Sequence, residues 1–260
     1  MSLWVAKERV AHFNTEPPPA GSKIAPVISS ICENDSIFVN LEKMTPIKLY
    51  EKLLALHGAQ GWWPVKSECS GRGYHKNEFG LPKTRKGKFE VCMGAILTQN
   101  TSWLQVEKAL NNLFAAKINS AEKILKTDSE TISTLISPAG YRNQKCSYLK
   151  NIAEWFKKAY TPHPIPYTTK LRDELLQVKG VGRETADSIL LYAFHLPTFV
   201  IDTYTKRVLA AFGVFDEKTD YETLRKWFMD SLPPSVELFQ EYHALFVEQG
   251  KGGFSILTQQ

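Results

Sequence analysis

Residues 175–202 read LLQVKGVGRETADSILLYAFHLPTFVID, and two features of this run need a physical reason. Two glycines, Gly180 and Gly182, flank one valine between amphipathic segments, and an apolar stretch ends on a lone acid, Asp202. Glycine accepts a positive φ at no steric cost. A pair of them around Val181 lets two helices meet at a tight bend, with the valine turned into their seam. With side chains absent from the bend, the backbone N–H groups that open the second helix are accessible to an anion, and the helix N-terminus adds partial positive charge. A phosphate suits such a place. A bare Gly-x-Gly between helices is equally an ordinary tight turn, so Lys179 and Arg183 on either side carry the phosphate reading. A contact of this kind positions a duplex and reads no base sequence.

The whole chain has 260 residues, 43% of them hydrophobic, which is enough to bury one large core or two small ones. No run approaches the roughly 20 apolar residues that a membrane span needs. The start, MSLWVAKERVAHF, lacks the apolar region and small-residue cleavage site of a secretory signal, so the expected location is cytoplasmic, on the nucleoid if the source is prokaryotic. Lys and Arg total 32 against 27 Asp and Glu, a net charge of +5 that permits a polyanionic partner without demanding one. Cys32, Cys69, Cys92 and Cys146 form no C-x-x-C pair, and reduced thiols are expected.

Hydrophobic spacing along the chain is helical. Residues 1–43 contain NTEPPPAGSK and little periodicity, and they read as a partly mobile N-terminal extension. From Pro46 on, PIKLYEKLLALHG predicts a helix with Leu49, Leu53, Leu54 and Leu56 on one face. The segment 66–87 is polar and basic. Helical register returns in SWLQVEKALNNLFAA, through Leu104, Ala109, Leu110 and Leu113, and in NQKCSYLKNIAEWFKKAY, through Tyr148, Ile152 and Phe156. Further helices are predicted over 203–212, 221–232 and 235–248. Few windows alternate with period two, so an all-α fold is expected.

The composite of hydrophobic-x-Gly-Val-Gly-x-x-Thr-Ala at 178–186 with Val-Ile-Asp-Thr at 200–203 resembles the helix-hairpin-helix (HhH-GPD) DNA glycosylases of the endonuclease III type. The likeness spans residues 46–251. It implies a two-lobed all-α fold with a base pocket between lobes: a helical barrel over about 88–200, and a second lobe from about 44–87 and 201–260. It implies base-excision DNA repair, acting as a monomer on double-stranded DNA that contains a damaged base.

Asp202 taken alone is a helix cap. The resemblance adds a second task, facing the flipped nucleotide and stabilising the oxocarbenium-like charge that develops as the glycosyl bond breaks. Members that also cut the strand use a lysine two residues after the second hairpin glycine, as a nucleophile that forms an imine. Here that position is Glu184. A carboxylate cannot form the imine, and the expectation is hydrolytic base removal without lyase activity.

Two further motifs narrow the substrate. Trp62-Trp63-Pro64 and the run ILTQNTSW, ending on Trp103, resemble the 3-methyladenine glycosylase branch, in which matching aromatics line the base pocket. Electron-rich indoles attract the positive charge of an N-alkylated purine. The same resemblance puts Gln99 where a side chain fills the gap left by the flipped nucleotide, and aligns Lys251 with a lysine that returns toward the pocket. Core packing for the tryptophans and solvated surface for Gln99 and Lys251 are the plain alternatives. Tyr141 and Arg142 are weaker candidates to approach DNA.

Many endonuclease III-type chains end in four cysteines that bind an iron–sulfur cluster. No cysteine follows Cys146 here, and neither that cluster nor a metal held by side chains is expected. A monovalent cation at the hairpin backbone is the one ion this reading accommodates. The rival readings are a bifunctional endonuclease III-like glycosylase with lyase activity and a non-catalytic hairpin module that only binds DNA.

Overall fold

The computed structural model describes residues 44–69, 74–159 and 169–252, and among them no β-strand occurs. The expected extension over 1–43 lies outside the described residues. Two compact units form: described residues up to Trp62 and from Ile201 onward make one, and those from Trp63 to Val200 make the other.

In the second of these, the central helix is α2 (Arg85–Leu97). Its residues Phe89 to Leu97 are buried without interruption, as expected of a helix enclosed on every side. Around it pack α3 (Trp103–Ala115), α6 (Arg142–Ala159) and the hairpin's second helix, while the short α4 (Ala121–Lys126) and α5 (Ser129–Leu135) lie on α6. The hairpin joins α7 (Thr169–Leu176) to α8 (Arg183–Ser188), which continues as a wider π-turn over Ile189–Ala193. Asp187, fully buried on α8, accepts two bonds of 2.9 Å from Arg172 on α7 and one of 2.9 Å from Thr198 Oγ1. A buried carboxylate is tolerable only when paired in this way. The three groups fix the angle of the hairpin.

The other unit is built on α11 (Val236–Lys251), which packs against α9 (Thr203–Ala211) and α1 (Pro46–His57), with α10 (Tyr221–Ser231) on α1. Tyr50, Phe228, Tyr242 and Phe246 form its aromatic core, Tyr242 stacking on Phe246 at 4.7 Å and meeting Tyr50 edge-on at 5.2 Å. Burying each such ring contributes about 2–3 kcal/mol. Tyr242 Oη donates to the Pro46 carbonyl at 2.8 Å, tying the ends of this discontinuous unit together.

Three sequence expectations need correction. On α1 the buried stripe is Pro46, Ile47, Leu49, Tyr50 and Leu53, whereas Leu56 near the helix end is 46% exposed and lies off that stripe. Leu104, in the first turn of α3, is likewise outside the core, whereas Val106 is in it. The division between units falls at Trp62 and Trp63, not near residue 88. Residues 66–68 belong with α2 because buried Glu90 on that helix accepts from Lys66 N at 2.8 Å and Ser67 N at 3.0 Å.

Candidate active site

The hairpin glycines have different reasons to be there. Gly180 has φ +99°, and a Cβ on it would lie 2.2 Å from the Tyr148 ring of α6. Only glycine meets both conditions. Gly182 has φ −91° and open space around it, so neither torsion nor packing requires glycine there. Val181 between them is buried, as its place in the seam requires. No side chain caps the start of α8. Lys179, Arg183 and Glu184 are exposed around this turn.

Neighbouring residues hold the turn. Asn151 Nδ2 donates to the Lys179 carbonyl at 2.9 Å, and Gln99 Nε2 donates to the Gly180 carbonyl at 2.8 Å and to Thr185 Oγ1 at 3.1 Å. Gln99 here braces the hairpin, a local role that the sequence did not suggest. The Val178 carbonyl accepts from Val181 N at 2.9 Å. Each of these hairpin carbonyls keeps a second lone pair.

The tryptophans of the expected base pocket fall in both units. Trp63 is 3% exposed and packs edge-on against Trp103 at 5.3 Å and against Tyr192 of the π-turn at 5.1 Å. Gly94 of α2 lets it approach, since a Cβ there would meet the indole at 3.1 Å. Pro64 is buried beside it in sequence, and Trp103 remains half-buried.

Trp62 lies in the other unit with Asp202 and Lys251. The Lys251 ammonium sits 5.4 Å from the Trp62 ring centroid, a cation on an indole face. Asp202 caps α9, its Oδ1 accepting from Thr205 N at 2.7 Å and from Thr205 Oγ1 at 2.8 Å. Its Oδ2 faces His243 Nε2 at 3.7 Å, and its side chain is only 12% exposed. Burial by itself would raise the Asp202 pKa. His243, as donor and positive charge, together with the two Thr205 bonds, outweighs burial and holds the carboxyl below the usual range. Asp202 is therefore an anion at neutral pH, partly withdrawn from water.

Sequence reasoning missed three side chains here. His243 lies on α11, 4% exposed and edge-on to Trp62 at 6.1 Å. Glu241 on the same helix is buried and accepts from Gln60 N at 2.5 Å and Gly61 N at 3.2 Å, fixing the chain just before Trp62. Glu90 does the same just after Pro64. The one signal in the sequence was a pair of ionisable residues inside an apolar helix, EYHALFV, because such groups are rarely buried without a partner.

The basic segment is less free than its composition suggests. Arg85 pairs with Glu122 at 2.7 Å, and Glu68 accepts from Lys83 N at 2.7 Å and Thr84 N at 2.8 Å, so the segment forms the braced entry to α2. Among the described residues no group of three or more His, Cys, Asp or Glu side chains is arranged to hold a metal, and Cys69, Cys92 and Cys146 are free thiols. Among them, too, no helix is long and apolar enough to cross a membrane.

Comparison with known proteins agrees with this geometry. Residues 93–234 match the HhH-GPD superfamily of base excision DNA repair proteins. A Methanocaldococcus jannaschii protein with a provisional name as a DNA repair glycosylase is 41% identical over 209 residues, covering 78% of this chain and 86% of its own. Endonuclease III of Sulfolobus acidocaldarius is 31% identical over 175 residues, covering 65% and 74%. Among solved structures, H. pylori 3-methyladenine DNA glycosylase (MagIII), bound to 1,N6-ethenoadenine, superposes with a TM-score of 0.64 at 26% identity, over 80% of this chain and 98% of that one. The hairpin, the capping acid and these matches together make the chain a base excision repair glycosylase of the HhH-GPD superfamily, endonuclease III-like in family.

Proposed function

We propose that this glycosylase excises N-alkylated, positively charged purines from duplex DNA by hydrolysis, with Asp202 as the catalytic carboxylate. The observation that carries the substrate class is the cation on Trp62. In this structure the face of that indole already holds the Lys251 ammonium, and a cationic purine presents the same charge on a larger, flatter body. The likeness to a 3-methyladenine glycosylase supports the same choice. Trp63, Pro64 and Trp103 are the further base-contacting residues of this reading, and Lys179 to Arg183 its phosphate grip.

A carboxylate kept anionic in a site of low water content stabilises the positive charge that grows on the sugar as the base leaves. An alkylated purine is a good leaving group, so that stabilisation and an attacking water suffice. Strand cleavage would need an amine at the sugar, and the matching position is the carboxylate Glu184.

The test uses duplex DNA treated with a methylating agent. Free 3-methyladenine or 7-methylguanine is expected in the supernatant, with the strand intact until alkali is added. A covalent enzyme–DNA adduct trapped by borohydride would replace the hydrolytic reading by the lyase one. Duplex binding without any base release would leave only a DNA-binding module.

A further inference from the structure

Beyond helping to keep Asp202 ionised, His243 touches both groups that the reaction is proposed to use. Its Nε2 faces Asp202 Oδ2 at 3.7 Å, and its ring meets Trp62 edge-on at 89° with 6.1 Å between centroids. Asp202 Oδ1 is already committed to Thr205. Oδ2 is then the oxygen left to face the reacting sugar, and His243 lies on that side of the carboxylate.

The other polar groups of this unit near the pair have separate partners. On α11, Glu241 is held by Gln60 and Gly61, Gln249 Oε1 lies 2.8 Å from His57 Nε2 of α1, and Lys251 lies on Trp62. On α9, Lys206 Nζ donates to the Thr219 carbonyl at 2.8 Å. His243 is thus the side chain of this unit that links the carboxylate to the indole, and it does so from inside a packed helix, where its rotamer is fixed by its neighbours.

We propose that His243 is a positioning residue of the excision site, orienting Oδ2 of Asp202 and joining it to the Trp62 indole so that a base stacked there meets an aligned acid. The proposal rests on the reading of Asp202 as the catalytic carboxylate. A protonated imidazole donates to Oδ2 and supplies charge. A neutral one with its proton on Nε2 turns an N–H dipole toward the same oxygen.

Two variants separate the ring from the donor. His243→Phe keeps an aromatic edge against Trp62 and removes the donor, whereas His243→Gln keeps a donor and removes the ring. Excision rate and pH profile are measured on methylated duplex, alongside duplex affinity. His243→Phe is expected to lose roughly 10–100-fold in kcat with affinity retained. Its acid limb should move to higher pH, because burial then acts on Asp202 with less opposition, and raising the pH should recover part of the rate. His243→Gln is expected to fall between Phe and wild type. A purely structural role would lower the rate equally at every pH, and that result, or wild-type profiles for both variants, overturns the proposal.

A third measurement needs neither activity nor a folded His243→Phe. The imidazole resonances of His243 are followed by NMR in wild type and in Asp202→Asn. A change in those resonances at one neutral pH in Asp202→Asn supports the contact, and unchanged resonances overturn it. Because this readout requires no base release, it distinguishes failure of the histidine proposal from failure of the glycosylase reading.

Discussion

Two helices of this protein begin in opposite ways. The start of α8, at Gly182, carries no capping side chain, whereas the start of α9, at Asp202, is capped by its own carboxylate through Thr205 N and Oγ1. Both ends have the same partial positive charge and the same surplus of N–H groups. An open end leaves that potential for an anion brought from outside. A filled end spends it on an internal anion, which becomes harder to protonate. In the proposed reaction these are the two requirements: a grip on backbone phosphate in one unit, and a permanently charged acid beside a tryptophan in the other.

The most damaging way to disturb the comparison is to neutralise the filled end. Asn is as good a cap as Asp, so Asp202→Asn should leave α9 intact and change the thermal midpoint little at neutral pH. Base release should nonetheless fall by about 10²–10³-fold or more, the scale on which a missing electrostatic group is felt in a shielded site. The same variant tests the sign of the pKa shift. Asp202 has a depressed folded-state pKa, so its share of stability is fully present above its unfolded value of about 4 and is lost as pH falls through the folded one. Thermal midpoints measured from acid to neutral pH should therefore show wild type, close to Asp202→Asn at neutral pH, falling relative to it below about pH 4. A constant difference would mean that the carboxyl is not held by these contacts.

The next largest effect is expected at the open end. Gly180→Ala forces a side chain into a left-handed backbone and against the Tyr148 ring, whose hydroxyl accepts from Gln144 Nε2 at 2.6 Å. Strain and overpacking together should cost about 2–4 kcal/mol in denaturant unfolding. Duplex binding should weaken with it, because the turn is the grip. A variant of wild-type stability would show that the bend reorganises freely and that the close approach to α6 is incidental.

The same contrast explains what could be read from the sequence. The hairpin is local: its glycines, Val181, Lys179 and Arg183 are neighbours in the chain, and their spacing alone announces a tight turn before a helix. Asp202 was legible for a similar reason, as a cap that follows an apolar run. The surroundings of Asp202 were legible only in part: the resemblance named Trp62 and Lys251, whereas His243, distant in sequence from both Trp62 and Asp202, joins them only once α11 packs on α9 and α1. Glu241 and Glu90 were missed for the same reason. Buried carboxylates that hold backbone N–H groups on either side of Trp62-Trp63-Pro64 leave no periodic trace, since each is one residue in an otherwise apolar helix. Gln99 shows a different limit: its bonds to the Gly180 carbonyl and Thr185 add a bracing role that no spacing in the sequence announced.

Gly182 is where the comparison can be sharpened with the least disturbance. Its φ of −91° suits any residue, and a Cβ there would meet no protein atom within 4 Å. Gly182→Ala should therefore change stability by less than about 0.5 kcal/mol, the range of a substitution away from any packed contact. If the open end of α8 is a phosphate site, the added methyl lies where the backbone must approach the anion, and the penalty appears only when DNA is present. Duplex affinity should fall several-fold at low salt with unfolding unchanged, and the excision rate at saturating DNA should stay near wild type. Equal affinities for Gly182→Ala and wild type would move the phosphate grip away from this turn, to the exposed side chains of Lys179 and Arg183, and the missing cap would then be a feature of the turn alone.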